Sequence, residues 1–343
     1  MPTKPRVLVD PFYRKMAGVF SPTDLEKLYD IADVIWGKDE KMPYDDAREA
    51  FKEAVAFIGT DWRYGDALQH ARNLRGYISI GGNLPQDFDY DTAFARNMRV
   101  LSCAPAFGPQ VAEFALGLAL ACGRDICTGD KAMKSGNETY FANKGTFVLF
   151  GKPVGIIGYG GIARCLQPLL VPFGCKVAAY DPWQTDGYLR RQGVEPMGLE
   201  QLLETSKVIF VLAVPSVENE ALLSRRMLEK IQPGAVLVLV SRAHVADFDA
   251  LTELVTAGRF KAAIDVYPVE PCPKDHPIRQ AGDGVVLQAH RAGSVREALW
   301  EIGSMVVDDL EAILRGIPPQ RMQLAQPELV YRYSARGFHA GLA

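Results

Sequence analysis

Arginine, glutamate and histidine follow three apolar runs in the last third of the chain. Arg242 ends "AVLVLVSR", Glu270 lies in "AAIDVYPVEP" five residues beyond Asp265, and His290 ends "GVVLQAH". A guanidinium offers a planar fork of donors to oxygen anions. A histidine moves protons near neutral pH, and a carboxylate beside it can orient the ring. Singly, each has an ordinary explanation: Arg242 as a carbonyl cap or surface ion pair, Glu270 as a solvated loop acid, His290 as a satisfied histidine at a domain crossing. Together, at successive strand ends where open parallel sheets bind ligands, they form a candidate site for anion binding and proton transfer.

Upstream lies "VGIIGYGGIARCLQPLLVPFGCKVAAYDPW", residues 154–183. Val154 to Ile157 reads as a buried parallel strand. The next six residues, Gly158-Tyr159-Gly160-Gly161-Ile162-Ala163, match G-x-G-x-x-G/A. Gly158 permits the tight turn, and Gly160 lets backbone N–H groups approach a pyrophosphate. Ala163 is small enough for the following helix to sit close to its strand. The helix is expected to begin near Gly160, with its positive dipole end toward the phosphates. A second strand over 176–180 delivers Asp181, eighteen residues after Ala163. A carboxylate there accepts from both ribose hydroxyls of NAD and repels the 2′-phosphate of NADP. The plain reading, a strand, turn and helix without a ligand, does not account for the glycines and the acid together.

These residues need parallel strands to carry them, and the pattern supplies them. Strand-like runs occur at 6–10, 54–58, 74–80, 98–102, 153–158, 176–180, 207–213, 235–240, 261–266 and 284–288, with helical segments between. That alternation predicts an α/β protein with parallel sheets covered on both faces. The segment "GPQVAEFALGLALACGRDI" (108–126) is apolar on most faces and is expected to be buried between domains or subunits. At 343 residues two domains are expected. The composition, 48% apolar and 23% charged with net charge −3, is that of a globular enzyme and makes no electrostatic case for nucleic acid or an anionic membrane. No apolar run is expected to span a membrane, and "MPTKPRVLVDPFYRK" enters a strand without a signal-peptide apolar region. The six cysteines form no CxxC pair, so reduced thiols in a cytoplasm are expected rather than disulfides or a metal site. The stretch after the double proline at 318–319 is the least regular, a surface arm or frayed tail.

With these motifs in order, the sequence resembles the D-isomer-specific 2-hydroxyacid dehydrogenases. The markers are GYGGIA with Asp181, "SRAHVADFDAL", "AAIDVYPVEP" and "QAHRAG", and more loosely the V-A-E element of 111–113. The resemblance runs from about residue 50 to residue 318. It implies a Rossmann NAD-binding domain (105–291) inserted into a smaller flavodoxin-like substrate domain (1–104 plus 292–343). It implies an enzyme transferring hydride between the nicotinamide and a 2-oxo or 2-hydroxy acid, with Arg242 gripping the substrate's carboxylate and carbonyl oxygen. His290 is then the acid–base group, and Glu270 fixes its tautomer and favours the imidazolium. The implied cofactor set is Gly158, Gly160, Gly161, Ile162, Asp181, Pro215 and Asp265, the last near the nicotinamide carboxamide. The loop "SIGGNLPQDFDYD" supplies Gly82 and Asn83 for the substrate carboxylate.

The sequence departs from the family pattern at Ala243-His244 after the arginine and at Gln288-Ala289 and Arg291-Ala292 around the histidine. It also has about one extra residue, including Pro85, in the substrate loop, and no C-terminal regulatory domain is expected. Gly59 stands where the phosphoglycerate branch has arginine, so an unphosphorylated acid such as glyoxylate or hydroxypyruvate is expected. Trp62, Arg63 and Tyr64 either line the pocket entrance or form a surface patch. The resemblance also implies a homodimer through the nucleotide domains, using the helix around 111–121 and the loop "SGNETYFANKGTF". Two alternatives stay open: an NAD-sensing binding protein, as in the C-terminal binding protein corepressors, and oxidation of another small anion such as phosphite. Formate oxidation is disfavoured, because that branch has glutamine where Glu270 stands.

Overall fold

The structure is a computed structural model that describes residues 3–141 and 144–332. It divides into two compact units, one of residues up to Phe107 with Ser294–Tyr331, the other of Gly108–Gly293 with Arg332. The chain thus changes unit at 107/108 and 293/294, two or three residues from the crossings expected.

The first unit is built on five parallel strands: β1 (Arg6–Asp10), β2 (Asp33–Trp36), β3 (Ala56–Gly59), β4 (Gly76–Ser79) and β5 (Arg99–Ser102). Their order is β2-β1-β3-β4-β5. Val7, Val9, Ile58, Ile78 and Leu101 on these strands share one core with Ile302, Val306 and Leu310 of the helix Arg296–Arg315. That helix passes so close to residues 19 and 20 that a Cβ on Gly303 would lie 2.4 Å from the Val19 carbonyl oxygen. The edge strand β2 was not foreseen: only Val34, Ile35 and Trp36 mark it, and all three stay half exposed.

The second unit carries β6 (Pro153–Ile157), β7 (Lys176–Tyr180), β8 (Glu195–Pro196), β9 (Val208–Val211), β10 (Val236–Leu239), β11 (Lys261–Ile264) and β12 (Val285–Leu287). All pair in parallel, in the order β12-β11-β10-β9-β6-β7-β8. The central strands β9 and β10 are buried at every residue, as strands with both faces covered must be. Strand growth reverses between β6 and β9, so the ligand crevice of this sheet opens at their carboxyl ends. The last strand, β13 (Gln323–Leu324), returns to the first sheet and pairs antiparallel with β5. Part of the irregular tail is therefore an edge strand rather than an arm; residues 333–343 lie outside the described residues.

Three expectations are corrected. The apolar segment after residue 104 is, by length and composition, apolar enough to cross a membrane. Its helical part, Gly108–Gly123, instead packs on the helix Gly161–Leu170 and across β10, β11 and β12 of its own unit, burying Val111, Ala112, Ala115, Leu118 and Ala119. It ends before Asp125, which adopts φ 54° and starts a separate helix, Ile126–Ser135. Finally, Trp62 and Tyr64 line neither an entrance nor a surface patch. Both are buried in an aromatic cluster with Phe51, Phe57 and Tyr77, because the turn after β3 folds back under its own sheet.

Candidate active site

The glycine turn leaves β6 as the motif requires. Gly158 has φ 87°, and a Cβ there would lie 2.4 Å from the Ala213 Cα, so no side chain fits. Nothing lies within 4 Å of a Cβ placed on Gly160 or Gly161, so this face of the turn is open. The helix Gly161–Leu170 begins there with Gly160 as N-cap and no side-chain cap, leaving first-turn N–H groups for an anion. Ile162 follows half-buried, and Ala163 is fully buried beneath the helix. At the end of β7, Asp181 accepts from the Tyr159 N–H at 2.6 Å and from the Trp183 N–H at 2.8 Å. One bond to each oxygen fixes the carboxylate and leaves further lone pairs for ribose hydroxyls.

Pro215 is buried in the segment after β9. Beside it and after β10, the buried hydroxyls of Ser216 and Ser241 lack hydrogen-bond partners among the described residues. Buried hydroxyls rarely stay unpaired. An open glycine turn, an uncapped helix start, a fixed acid and orphaned hydroxyls at strand ends fit a dinucleotide.

The proton-transfer group is assembled at the next strand ends. His290 Nδ1 lies 2.6 Å from Glu270 Oε2, while Glu270 Oε1 accepts from the Tyr267 N–H at 3.0 Å. Burial acts to raise the Glu270 carboxyl. The His290 and Tyr267 hydrogen bonds, with the charges of His290 and Arg242, outweigh it and hold the group below its ordinary value. Glu270 is therefore a carboxylate at neutral pH and keeps Nδ1 as the bonded nitrogen, leaving Nε2 as the one for exchange with a ligand. The His290 side chain is 43% exposed, so that nitrogen is reachable.

His290 has φ 52°, a left-handed conformation uncommon for a residue with a Cβ. Its N–H donates to the Asp265 carbonyl at 2.8 Å. The wholly buried Asp265 carboxylate accepts from the Arg291 N–H at 2.9 Å and the Ala292 N–H at 3.0 Å. Burial pushes this carboxyl above its ordinary value against the pull of those donors. Sequence reasoning assigned Asp265 to the cofactor alone, whereas its side chain also clamps the histidine loop. Tyr267 adds a second brace, its hydroxyl donating to the Gln288 carbonyl at 2.8 Å. Neither brace had a sequence signal, because both are made by or to main-chain groups.

Arg242 follows β10 with extended backbone, half-buried, and its Nη1 donates to the Ser241 carbonyl at 2.7 Å. Two residues on, the half-buried His244 ring has no hydrogen-bond partner for either nitrogen among the described residues. Burial, then the Arg242 charge, holds His244 below its ordinary pKa, so it is neutral beside the arginine. Gly82 and Asn83 stand in the first unit, in the turn after β4, where Gly82 has φ 103°. The Ser79 hydroxyl donates to the Asn83 carbonyl at 2.9 Å and ties that turn to its strand. The second unit thus brings together Gly158, Gly160, Asp181, Asp265, Glu270, His290 and Arg242 on one row of strand ends.

Comparison with known proteins gives the same answer. Residues 116–292 match the family described as D-isomer specific 2-hydroxyacid dehydrogenase, NAD binding domain, and NAD is the cofactor. The hydroxypyruvate reductase of Thermotoga maritima is 33% identical over 249 residues, covering 71% of this chain and 79% of that one. A phosphoglycerate oxidoreductase from Rhizobium etli superimposes with a TM-score of 0.84 at 32% identity, covering 95% of this chain and all of that one. The D-3-phosphoglycerate dehydrogenase of Mycobacterium tuberculosis is 30% identical over 306 residues, which is 88% of this chain and 56% of that protein. The chain thus spans little more than half the length of that relative. On its motifs, its strand-end site and these matches, the chain belongs to the D-isomer specific 2-hydroxyacid dehydrogenase family.

Proposed function

We propose that the protein is an NAD-dependent oxidoreductase of 2-oxo and 2-hydroxy acids, acting on glyoxylate- or hydroxypyruvate-like substrates. The observation that carries the reading is the 2.6 Å His290–Glu270 pair, at the strand ends of the sheet that also bears the dinucleotide turn. NAD, when bound, supplies or takes the hydride. Arg242 grips the carboxylate and polarises the carbonyl oxygen through its planar fork. His290 Nε2 gives that oxygen a proton during reduction and takes it back during oxidation. Glu270 holds the ring's tautomer and stabilises its charge during transfer. Gly82 and Asn83 hold the substrate carboxylate from the first unit.

Poor turnover of 3-phosphoglycerate is expected from Gly59, which stands where the phosphoglycerate branch has arginine. The enzyme works in the cytoplasm as a homodimer through its nucleotide unit. Ile126, Met133, Val148 and Phe150, each more than half exposed there, support the dimer. Residues 142–143 of the loop assigned to this contact lie outside the described residues.

The test is NADH oxidation by the purified protein with a panel of 2-oxo acids. His290→Ala is expected to lower kcat by roughly 10²–10⁴ while NADH still binds. NADH binding without turnover of any acid would support a sensing protein instead. NAD reduction by phosphite alone would move the substrate to that anion.

A further inference from the structure

The first unit holds a second set of buried polar groups to which the proposed reaction gives no task. Its sheet reverses growth between β1 and β3, and open α/β sheets bind ligands outside the carboxyl ends of such a pair. The segments leaving those strands are "DPFYRK" and "TDWRY". Asp10 and Thr60 are buried there; Arg63 bonds Asp10, and Arg14 stands half-buried in the segment that leaves β1. Asp10 accepts from Arg63 Nη2 at 2.6 Å, from the Met42 N–H at 3.3 Å and from the Tyr64 hydroxyl. Yet Asp10 Oδ1, Thr60 Oγ1, Arg14 Nε, and Arg63 Nε and Nη1 have no hydrogen-bond partner among the described residues. Orphaned buried groups are rare, and the four of these that can donate, on Thr60, Arg14 and Arg63, call for a missing acceptor.

Aromatic rings hold the donors in place. Arg63 Cζ lies 3.9 Å over Phe12, whose ring meets Tyr13 edge-on at 5.7 Å. Arg14 Cζ lies 5.7 Å from the Tyr13 ring and 5.8 Å from that of Phe107. The charges decide the ligand. Arg14 and Arg63 against Asp10 leave one positive charge; at the rim Lys41, near Phe12, and Asp61, near Tyr13, offset each other. A single surplus charge matches a carboxylate better than a phosphate of about −1.5 to −2. The crevice also abuts the glycine turn after β4. A Cβ on Gly81 would lie 3.2 Å from the Thr60 carbonyl oxygen and 3.4 Å from the Tyr13 hydroxyl.

We propose that this crevice binds a carboxylate, with Arg14 as its principal donor and Thr60 and Arg63 beside it. Resting on the reductase reading and moving its preferred substrate from glyoxylate- or hydroxypyruvate-like acids, that group is the far carboxylate of a dicarboxylic 2-oxo acid whose near carboxylate sits on the 81–83 turn.

Two measurements keep the crevice and the reaction apart. Calorimetric titration of the cofactor-free protein with malonate and succinate, against acetate, reads binding across the crevice and the 81–83 turn without the reaction. Reduction of oxaloacetate and 2-oxoglutarate, against pyruvate, reads its use. Dicarboxylates are expected to bind at least about tenfold more tightly than acetate, the worth of one charged hydrogen bond. The kcat/KM ratio of oxaloacetate to pyruvate should fall by about tenfold or more in Arg14→Gln, mostly through KM, with partial recovery in Arg14→Lys. Thr60→Val, a near-isosteric change, should lower the same ratio if Arg14→Gln fails to fold. Equal affinity for mono- and dicarboxylates, or an equal loss for both substrates in Arg14→Gln, overturns the proposal and leaves the reductase standing. Arg14-dependent succinate binding without turnover of any 2-oxo acid would support the crevice and refute the reductase.

Discussion

The Asp265 clamp makes the most demanding test of how the histidine is aimed. Asp265→Asn keeps the side-chain shape but turns one acceptor oxygen into an amide donor that faces a backbone N–H. One of the bonds at 2.9 and 3.0 Å is then lost. A hydrogen bond to a charged group contributes about 1.5–3 kcal/mol. A side-chain-bearing residue held in the left-handed region costs roughly 1–3 kcal/mol. The clamp and the strain at His290 are therefore of similar size, and weakening the first should let the second relax. At about 1.36 kcal/mol per decade, kcat should fall about ten- to a hundredfold. The cofactor turn at Gly158 is untouched, so NADH affinity should change little. Stopped-flow reduction kinetics and NADH fluorescence titration on the same preparation measure both. Unchanged kcat would refute the clamp, and a loss of NADH affinity matching the loss of kcat would return Asp265 to a cofactor role. The sign with pH follows from burial. Because Asp265 is pushed above its ordinary value, it protonates before an exposed aspartate as pH falls, and the wild-type histidine loop should loosen from the acid side.

Other outcomes follow from the same geometry. Glu270 is held below its ordinary pKa, so its contribution persists as pH falls until that depressed value is crossed. Glu270→Gln removes the charge at every pH and should move the pH profile of reduction to lower pH; an identical profile would make the glutamate merely structural. Asp181→Ser should weaken NADH binding and narrow the preference over NADPH, read from kcat/KM with each cofactor, and equal use of both by the wild type would remove the basis of that preference. In the first unit, the buried Asp309 accepts the N–H groups of Gln320, Arg321 and Met322. Asp309→Ala leaves all three unpaired and should cost about 3–5 kcal/mol in urea unfolding; a loss below about 1 kcal/mol would mean water replaces the carboxylate.

What the sequence disclosed and what it withheld divide by the kind of signal involved. Six of the seven parallel strands of the second unit were legible because apolar runs such as "VLVL" have no other use, whereas β8, only Glu195–Pro196, has no such run. The glycine turn was legible because its steric demands fall on residue types. Glu270 and His290 could be paired only through family resemblance, since twenty residues separate them. Trp62 and Tyr64 were misplaced because an aromatic beyond a strand end has no periodicity to show which way it folds. The left-handed backbone at His290 left no trace, since positive φ is a minority conformation even for histidine, which adopts it more often than most residues. β13 was missed for a simpler reason: two residues pairing antiparallel with an edge are too few to make a pattern.

The helix Gly108–Gly123 has a consequence for how the chain is made. Its cover comes from the helix Gly161–Leu170 and from β10, β11 and β12, all of which leave the ribosome later. Until β12 emerges, the segment that is apolar enough to enter a bilayer stands partly bare. At about 5–20 residues per second, the interval between this helix and β12 lasts on the order of 10–30 s. The helix is then the natural site for a chaperone to hold, and slowing translation between residues 123 and 285 should raise the fraction of chain that aggregates.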